Sequence, residues 1–280
     1  AYLTSNALEV KLMEQKGFGT NSSYEITEKT LLKDNLKVTK EEGQITAVEK
    51  ASLAGSSSLN KGQVTLGSTT YDTQLNMSNL LGYNVTGYIK EASVGNDELI
   101  LALPIANKNT SVKIDSEAFS KLTEKNGNNA IVYFTDTNNS KTATVELAKE
   151  PIMIYNGKYE KFDLKQLDMS DENGHLTLLD ADKDGKYEIV FVTKYDNIVV
   201  EEVTGSNKIS DKYGNAALKL DDDVDYTLTM GYNEIAVSDL KEYDVLSVAK
   251  SLDGTEGSAV YFIFGGECSK NEIKRIQSAY

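Results

Sequence analysis

Short apolar runs of a few residues recur along the chain, and clusters of Gly, Asn, Asp and Ser cut them at close intervals. This punctuation limits the fold more than any single motif does. An amphipathic helix needs a periodic stripe over about ten residues, whereas a strand needs only about five. Residues 44–49 alternate around Ile45, Ala47 and Val48, and further strand-like runs follow at 63–66, 84–90, 98–103 and 111–114. Their breaks are Gly55-Ser56-Ser57-Ser58, Gly67-Ser68, Gly95-Asn96 and Asn107-Lys108-Asn109. Residues 130–134 and 142–147 read as a hairpin. Pro151 opens a run at 152–155 that turns at Asn156-Gly157, the pair a type I′ hairpin turn favours. Strands are also expected at 176–179, 188–192, 198–203, 226–230, 244–250, 259–264 and 272–277.

Helix is expected in three places only. Ser5 or Asn6 caps a stripe made by Ala7, Leu8, Val10, Leu12 and Met13, and Gly17 and Gly19 end it. A second short helix is expected over 30–35 with Leu31 and Leu32 buried, and residues 116–122 allow a helical turn or two. The expected fold class is therefore mainly β, in antiparallel sandwich or small-barrel domains with a short N-terminal helix. A helix-led β domain is expected over residues 1–147 and a second β domain over 148–280.

Charge narrows the function classes. The chain carries 29 Lys and Arg against 43 Asp and Glu, for a net charge of −14, and Arg275 is its one arginine. Nucleic-acid binding is not expected, because neutralising phosphates takes a basic surface. Bidentate arginine clamps on phosphate or carboxylate are nearly excluded as well. His175 is the single histidine and Cys268 the single cysteine. Internal disulfides and His- or Cys-rich metal sites are thereby ruled out. No apolar run is long enough for a membrane-spanning helix, so membrane insertion is not expected. The chain begins at Ala1 with no basic segment and apolar core of a leader after it. A processed protein or a piece of a longer one is the expectation.

The run Leu178-Leu179-Asp180-Ala181-Asp182-Lys183-Asp184-Gly185-Lys186-Tyr187-Glu188-Ile189-Val190-Phe191-Val192 resembles a recurring block of one family. The block belongs to the regions that come after the S-layer homology domains of clostridial and related Gram-positive cell-surface proteins. Lys194-Tyr195-Asp196-Asn197, Val199-Val200, Ile209-Ser210-Asp211-Lys212-Tyr213, the stretch from Tyr243 to Ala249 and Ser251-Leu252-Asp253-Gly254 are similar to the segments C-terminal to that block in the family. Upstream, the stretch from Asn6-Ala7-Leu8 to Met13-Glu14, Thr30-Leu31-Leu32, the stretch from Glu42 to Ala47, the stretch from Leu80 to Val85 and Ile154-Tyr155-Asn156-Gly157-Lys158 fit as well. The resemblance implies an extracellular location at the cell surface or cell wall. It also implies a structural or assembly role without catalysis, with other copies of the chain or cell-wall components as partners. The anchoring modules themselves are not visible in the sequence.

The acidic turn is the sharpest chemical feature. Asp180, Asp182 and Asp184 stand at positions 1, 3 and 5 of a calcium-loop pattern, with Gly185 at 6, Lys186 at 7 and Glu188 at 9. Alternate carboxylates converge on one oxygen-lined point, which suits Ca²⁺. Position 12 is Phe191 in place of the bidentate Glu of a helix–loop–helix site, so Glu188 would substitute for it between two strands. A solvated acidic hairpin, with Asp side chains holding the main chain, is the alternative. Asp221-Asp222-Asp223-Val224-Asp225 reads as a charged turn, because consecutive strand carboxylates point to opposite faces. His175 reads as a surface-turn residue without a catalytic partner, and Cys268 as a plain thiol. A surface-displayed adhesin or polysaccharide-binding module is the alternative function, and it would need a tyrosine-lined groove. A glycoside hydrolase is the remotest reading, since the chain has no Trp.

Overall fold

In the computed structural model, residues 11–16, 23–125, 129–214, 217–222, 224–231, 233–252 and 259–266 are described. They are mainly β. Contacts divide the chain into a unit of Ala1–Asn109 and a unit of Thr110–Tyr280. The division expected at residue 147 is not found there. A single strand, Lys141–Tyr155, runs straight through it.

The first unit opens on β1 (Lys11–Lys16) and β2 (Ser23–Thr30), an antiparallel pair. Leu12 and Met13 therefore lie in a strand and not in the expected helix; residues 5–10 of that expectation lie outside the described residues. Leu31–Asn35 forms the second expected helix as one wide turn, closed by the Leu36 N–H on the Leu31 carbonyl at 3.1 Å. Its Leu32 is buried against Val38 and Tyr88.

Six strands follow: β3 (Val38–Val48), β4 (Ala51–Ser52), β5 (Gln63–Leu66), β6 (Thr69–Asp72), β7 (Asn84–Lys90) and β8 (Glu98–Pro104). The order β3-β5-β6-β8-β7 returns to β3, because β3 pairs with β7 along Val38–Gln44 and with β5 beyond it. Five strands thus close into a small barrel. The β6–β8 contact that shuts it is parallel and short, at Asp72 and Glu98. Ile45, Val64, Leu66, Val85 and Leu99 are fully buried, as the alternation of their strands requires, and Leu81 joins them from the turn before β7.

The second unit holds two seven-stranded sheets. The first contains β9 (Thr110–Asp115), β10 (Phe119–Lys125), β11 (Asn129–Asp136), β12 (Lys141–Tyr155), β13 (Lys158–Glu160), β14 (Gly174–Asp180) and β15 (Tyr187–Lys194). Its order is β10-β11-β12-β15-β14-β9, with β13 on β12. Residues 116–122 are only briefly helical: Ser116–Ala118 makes one tight turn before β10 begins. The pairing of β12 with β15 is parallel, so the sheet is mixed and not purely antiparallel. Pro151 sits at the bulge where β12 shifts register against β15, and Glu150 takes a left-handed φ of +55° beside it. β15 lies between β12 and β14, which explains its nearly unbroken apolar run from Ile189 to Val192. Its core gathers Ile114, Val132, Leu147, Met153, Leu176, Leu178, Val190 and Val192.

The second sheet contains β16 (Asp196–Thr204), β17 (Lys208–Asp211), β18 (Leu218–Lys219), β19 (Val224–Met230), β20 (Asn233–Glu234), β21 (Val245–Lys250) and β22 (Ala259–Gly266). Its order is β18-β17-β16-β21-β22-β19-β20. Here too one pairing, β19 with β22, is parallel. Ile198, Val200, Leu228, Leu246, Val248 and Ile263 form its core. The strand expected over 272–277 lies outside the described residues. Among the described residues no helix is long and apolar enough to cross a membrane.

Candidate metal centre

β14 and β15 are antiparallel neighbours, and the rung of their ladder nearest the loop pairs Leu179 with Ile189. One step further along that register, Asp180 stands across from Glu188. The loop between them must reverse the chain, and it does so with left-handed backbone at Lys183 (φ +65°) and Gly185 (φ +88°). Glycine tolerates that conformation without strain, which is why the loop turns where it does.

The reversal brings four carboxylates together. Oxygens of Asp180, Asp182, Asp184 and Glu188 all lie within 4.8 Å of one another. Among the described residues this is the one group of acidic, His or Cys side chains gathered closely enough to hold a metal ion. Asp180 is the floor of the site, only 3% exposed. Asp182 and Asp184 are exposed at the rim, and Glu188 is half-buried. Lys186, the fifth candidate, is exposed at the end of the loop; its side chain is a cation, so only its main-chain carbonyl suits a metal.

The loop's own N–H groups hold the acids in place. Asp180 Oδ1 accepts from the Lys183 N–H at 2.6 Å and Oδ2 from the Gly185 N–H at 3.1 Å. Asp182 Oδ1 accepts from the Asp184 N–H at 3.0 Å, and Asp184 Oδ1 from the Lys186 N–H at 2.7 Å. Glu188 Oε2 reaches back to the Ala181 N–H at 2.9 Å. Its other oxygen, Oε1, is buried and has no hydrogen-bond partner among the described residues. A buried acceptor without a donor is costly and calls for a cation, a proton or a water. Burial pushes the Glu188 carboxyl above the usual carboxylate range. The Ala181 N–H opposes that shift, and the neighbouring Asp182 carboxylate adds to it. The oxygen set as a whole fits a hard cation.

The other candidates do not assemble. Asp221 and Asp222 form an exposed turn, in which the Asp221 carbonyl accepts the Val224 N–H at 2.9 Å and Asp221 Oδ1 accepts from Asn207 Nδ2 at 2.9 Å. Asp223 lies outside the described residues. His175 is not in a turn, as its polar neighbours suggested. It lies half-buried in β14, between Asp115 on β9 and Thr193 on β15. Burial and the Lys113 ammonium lower its pKa, while Asp115 opposes them. Cys268 lies outside the described residues. Sequence reasoning missed the orphaned Oε1 of Glu188; the strand register opposite Asp180 was the signal that would have found it. No family model, curated protein or solved structure matches this chain.

Proposed function

We propose that the chain is a non-catalytic structural or assembly module of a bacterial cell-surface or S-layer-type protein, displayed outside the cell and strengthened by Ca²⁺. The observation that carries this reading is the placing of the carboxylate cluster. It caps the end of a β-ladder and is woven into its own loop by five main-chain N–H bonds, so a cation there would brace a hairpin. An all-oxygen set rich in carboxylates suits calcium, whose opposite oxygens stand about 4.6–5.2 Å apart at Ca–O distances of about 2.3–2.6 Å; the four carboxylates gather within 4.8 Å of one another. Asp180, Asp182, Asp184 and Glu188 would supply carboxylates and Lys186 its carbonyl. Assembly is tested by sedimentation and small-angle scattering at rising protein concentration, in Ca²⁺ and in chelator. Larger species that need Ca²⁺ are expected, and a monomer under every condition would refute the assembly role.

A surface-displayed polysaccharide binder is the second reading. It is favoured by Phe264, 55% exposed on β22, which stands between Ser247 on β21 and Thr229 on β19. Ser247 Oγ donates to Asn197 Oδ1 at 2.9 Å on the next strand. An aromatic face flanked by hydroxyl and amide groups is what a sugar ring stacks on. Glycan-array binding that is lost in Phe264→Ala would favour this reading over assembly.

A further inference from the structure

The strongest remaining feature lies in the Asn156-Gly157 turn between β12 and β13. Both residues are left-handed, at φ +46° and +81°, as a type I′ turn requires. Turn residues of this kind are normally at the surface, yet Asn156 is only 5% exposed. Its Nδ2 donates to the Lys194 carbonyl at 2.9 Å and to the Lys250 carbonyl at 2.6 Å. Its Oδ1 accepts from the Lys194 N–H at 2.9 Å, and its own N–H donates to the Val192 carbonyl at 2.9 Å. One amide therefore uses both donors and its acceptor on main chain.

The two carbonyls belong to different sheets. Lys194 ends β15 in the first sheet and Lys250 ends β21 in the second. Among the described residues the chain passes from one sheet to the other once, at Tyr195. Beside Asn156, a Cβ on Gly157 would stand 2.5 Å from the Phe262 ring of β22, so the turn and that ring are in close contact. Leu252, just past β21, packs on the core of the first sheet.

We propose that the Asn156-Gly157 turn is a latch that closes a hinge at Tyr195 and makes the two sheets of this unit one cooperative body. Asparagine suits the position because it tolerates left-handed backbone and brings two donors to two carbonyls; aspartate has none to bring. The latch is independent of the cation and of assembly, so it stands or falls apart from the proposed function.

Hydrogen exchange by mass spectrometry on the whole chain, across a urea series in chelator, tests it. In the wild type, peptides from β14–β15 and from β21–β22 should lose protection at the same urea concentration. Asn156→Gly keeps the backbone conformation and removes the three side-chain bonds. It should split the two sheets, with exchange in β21–β22 rising about 100-fold ahead of β14–β15. Should that variant fail to fold, Phe262→Leu loosens the same contact and should split them in the same order. Sheets that still unfold together in a folded variant, or that already unfold separately in the wild type, would overturn the proposal.

Discussion

Calcium added to the metal-free chain should raise the unfolding temperature of the Thr110–Tyr280 unit, and the size of the rise can be worked out. Ca²⁺ sites in extracellular modules have Kd values of about 10⁻⁴–10⁻³ M. At 10 mM free Ca²⁺, about 10–100 times Kd, binding to the folded state alone stabilises it by about 1.4–2.7 kcal/mol. In a unit of this size, about 1 kcal/mol moves the midpoint by roughly 2–4 °C. The expected rise is therefore about 3–10 °C by scanning calorimetry. The site's geometry supplies the controls. Asp182 and Asp184 are exposed and each caps one main-chain N–H through Oδ1. The double change Asp182→Asn with Asp184→Asn keeps an acceptor for both N–H groups and removes two charges. It should leave the metal-free midpoint nearly unchanged and abolish most of the rise. Mg²⁺ should do much less than Ca²⁺. Three results would each sink the reasoning: no rise at 10 mM, an equal rise in the double variant, or an equal rise with Mg²⁺. The last two would mean general screening of a chain at −14. All three would leave the acidic hairpin as a turn held by its own Asp side chains.

Three further outcomes are expected. Asp180→Ala removes a buried carboxylate that accepts two N–H bonds, so it should destabilise the unit by about 2–4 kcal/mol in urea even in chelator; a neutral effect would show that the loop does not depend on it. Tyr71, 6% exposed, donates to Glu41 Oε2 at 2.6 Å, and burial first, then that carboxylate, pushes its pKa up to about 12. The folded state thus holds this proton longer than the unfolded chain, so stability should be level below pH 10 and fall by at most ~2.7 kcal/mol through pH 12; Tyr71→Phe should flatten that fall, and an unchanged fall would assign it elsewhere. Thr73 Oγ1 donates to the Leu99 carbonyl at 2.9 Å and accepts the Leu75 N–H at 3.1 Å. Thr73→Val should cost about 1–3 kcal/mol and speed exchange near the β6–β8 closure, and a loss confined to other strands would refute its part in shutting the barrel.

Much of the strand pattern could be read locally. β5 and β7 begin and end at the residues expected, because each is an isolated run with turn formers on both sides. Of the expected N-terminal helix, Leu12 and Met13 lie in β1 instead, and apolar residues at Leu8, Val10 and Leu12 carry a period of two in the sequence as well as a helical stripe. The parallel pairings β12–β15 and β19–β22 join segments far apart in sequence, and no local pattern encodes which neighbour a strand will choose. The boundary expected at 147 separates two apolar runs that β12 joins into one strand, the one at 142–147 and the one opened by Pro151. In the fold Pro151 sits at a bulge, and the left-handed Glu150 lets β12 run on past it.

The two turns of greatest interest show where that legibility ends. The Asp loop declared itself because its chemistry is local. Carboxylates two residues apart, with a Gly after the third, can converge within one reversal of the chain. Only Glu188 depended on something beyond the loop, namely the β14–β15 register that sets it opposite Asp180. Asn156-Gly157 looked equally complete as a sequence signal, since Asn-Gly suffices to predict a hairpin turn, and that prediction is correct. Yet the turn conformation uses only the main chain of Asn156. Its side-chain amide stays free to bond elsewhere, and its partners at Lys194 and Lys250 lie 38 and 94 residues away. A residue chosen for its backbone can therefore carry a long-range role that no local pattern contains, and burial of a turn asparagine is the structural sign of it.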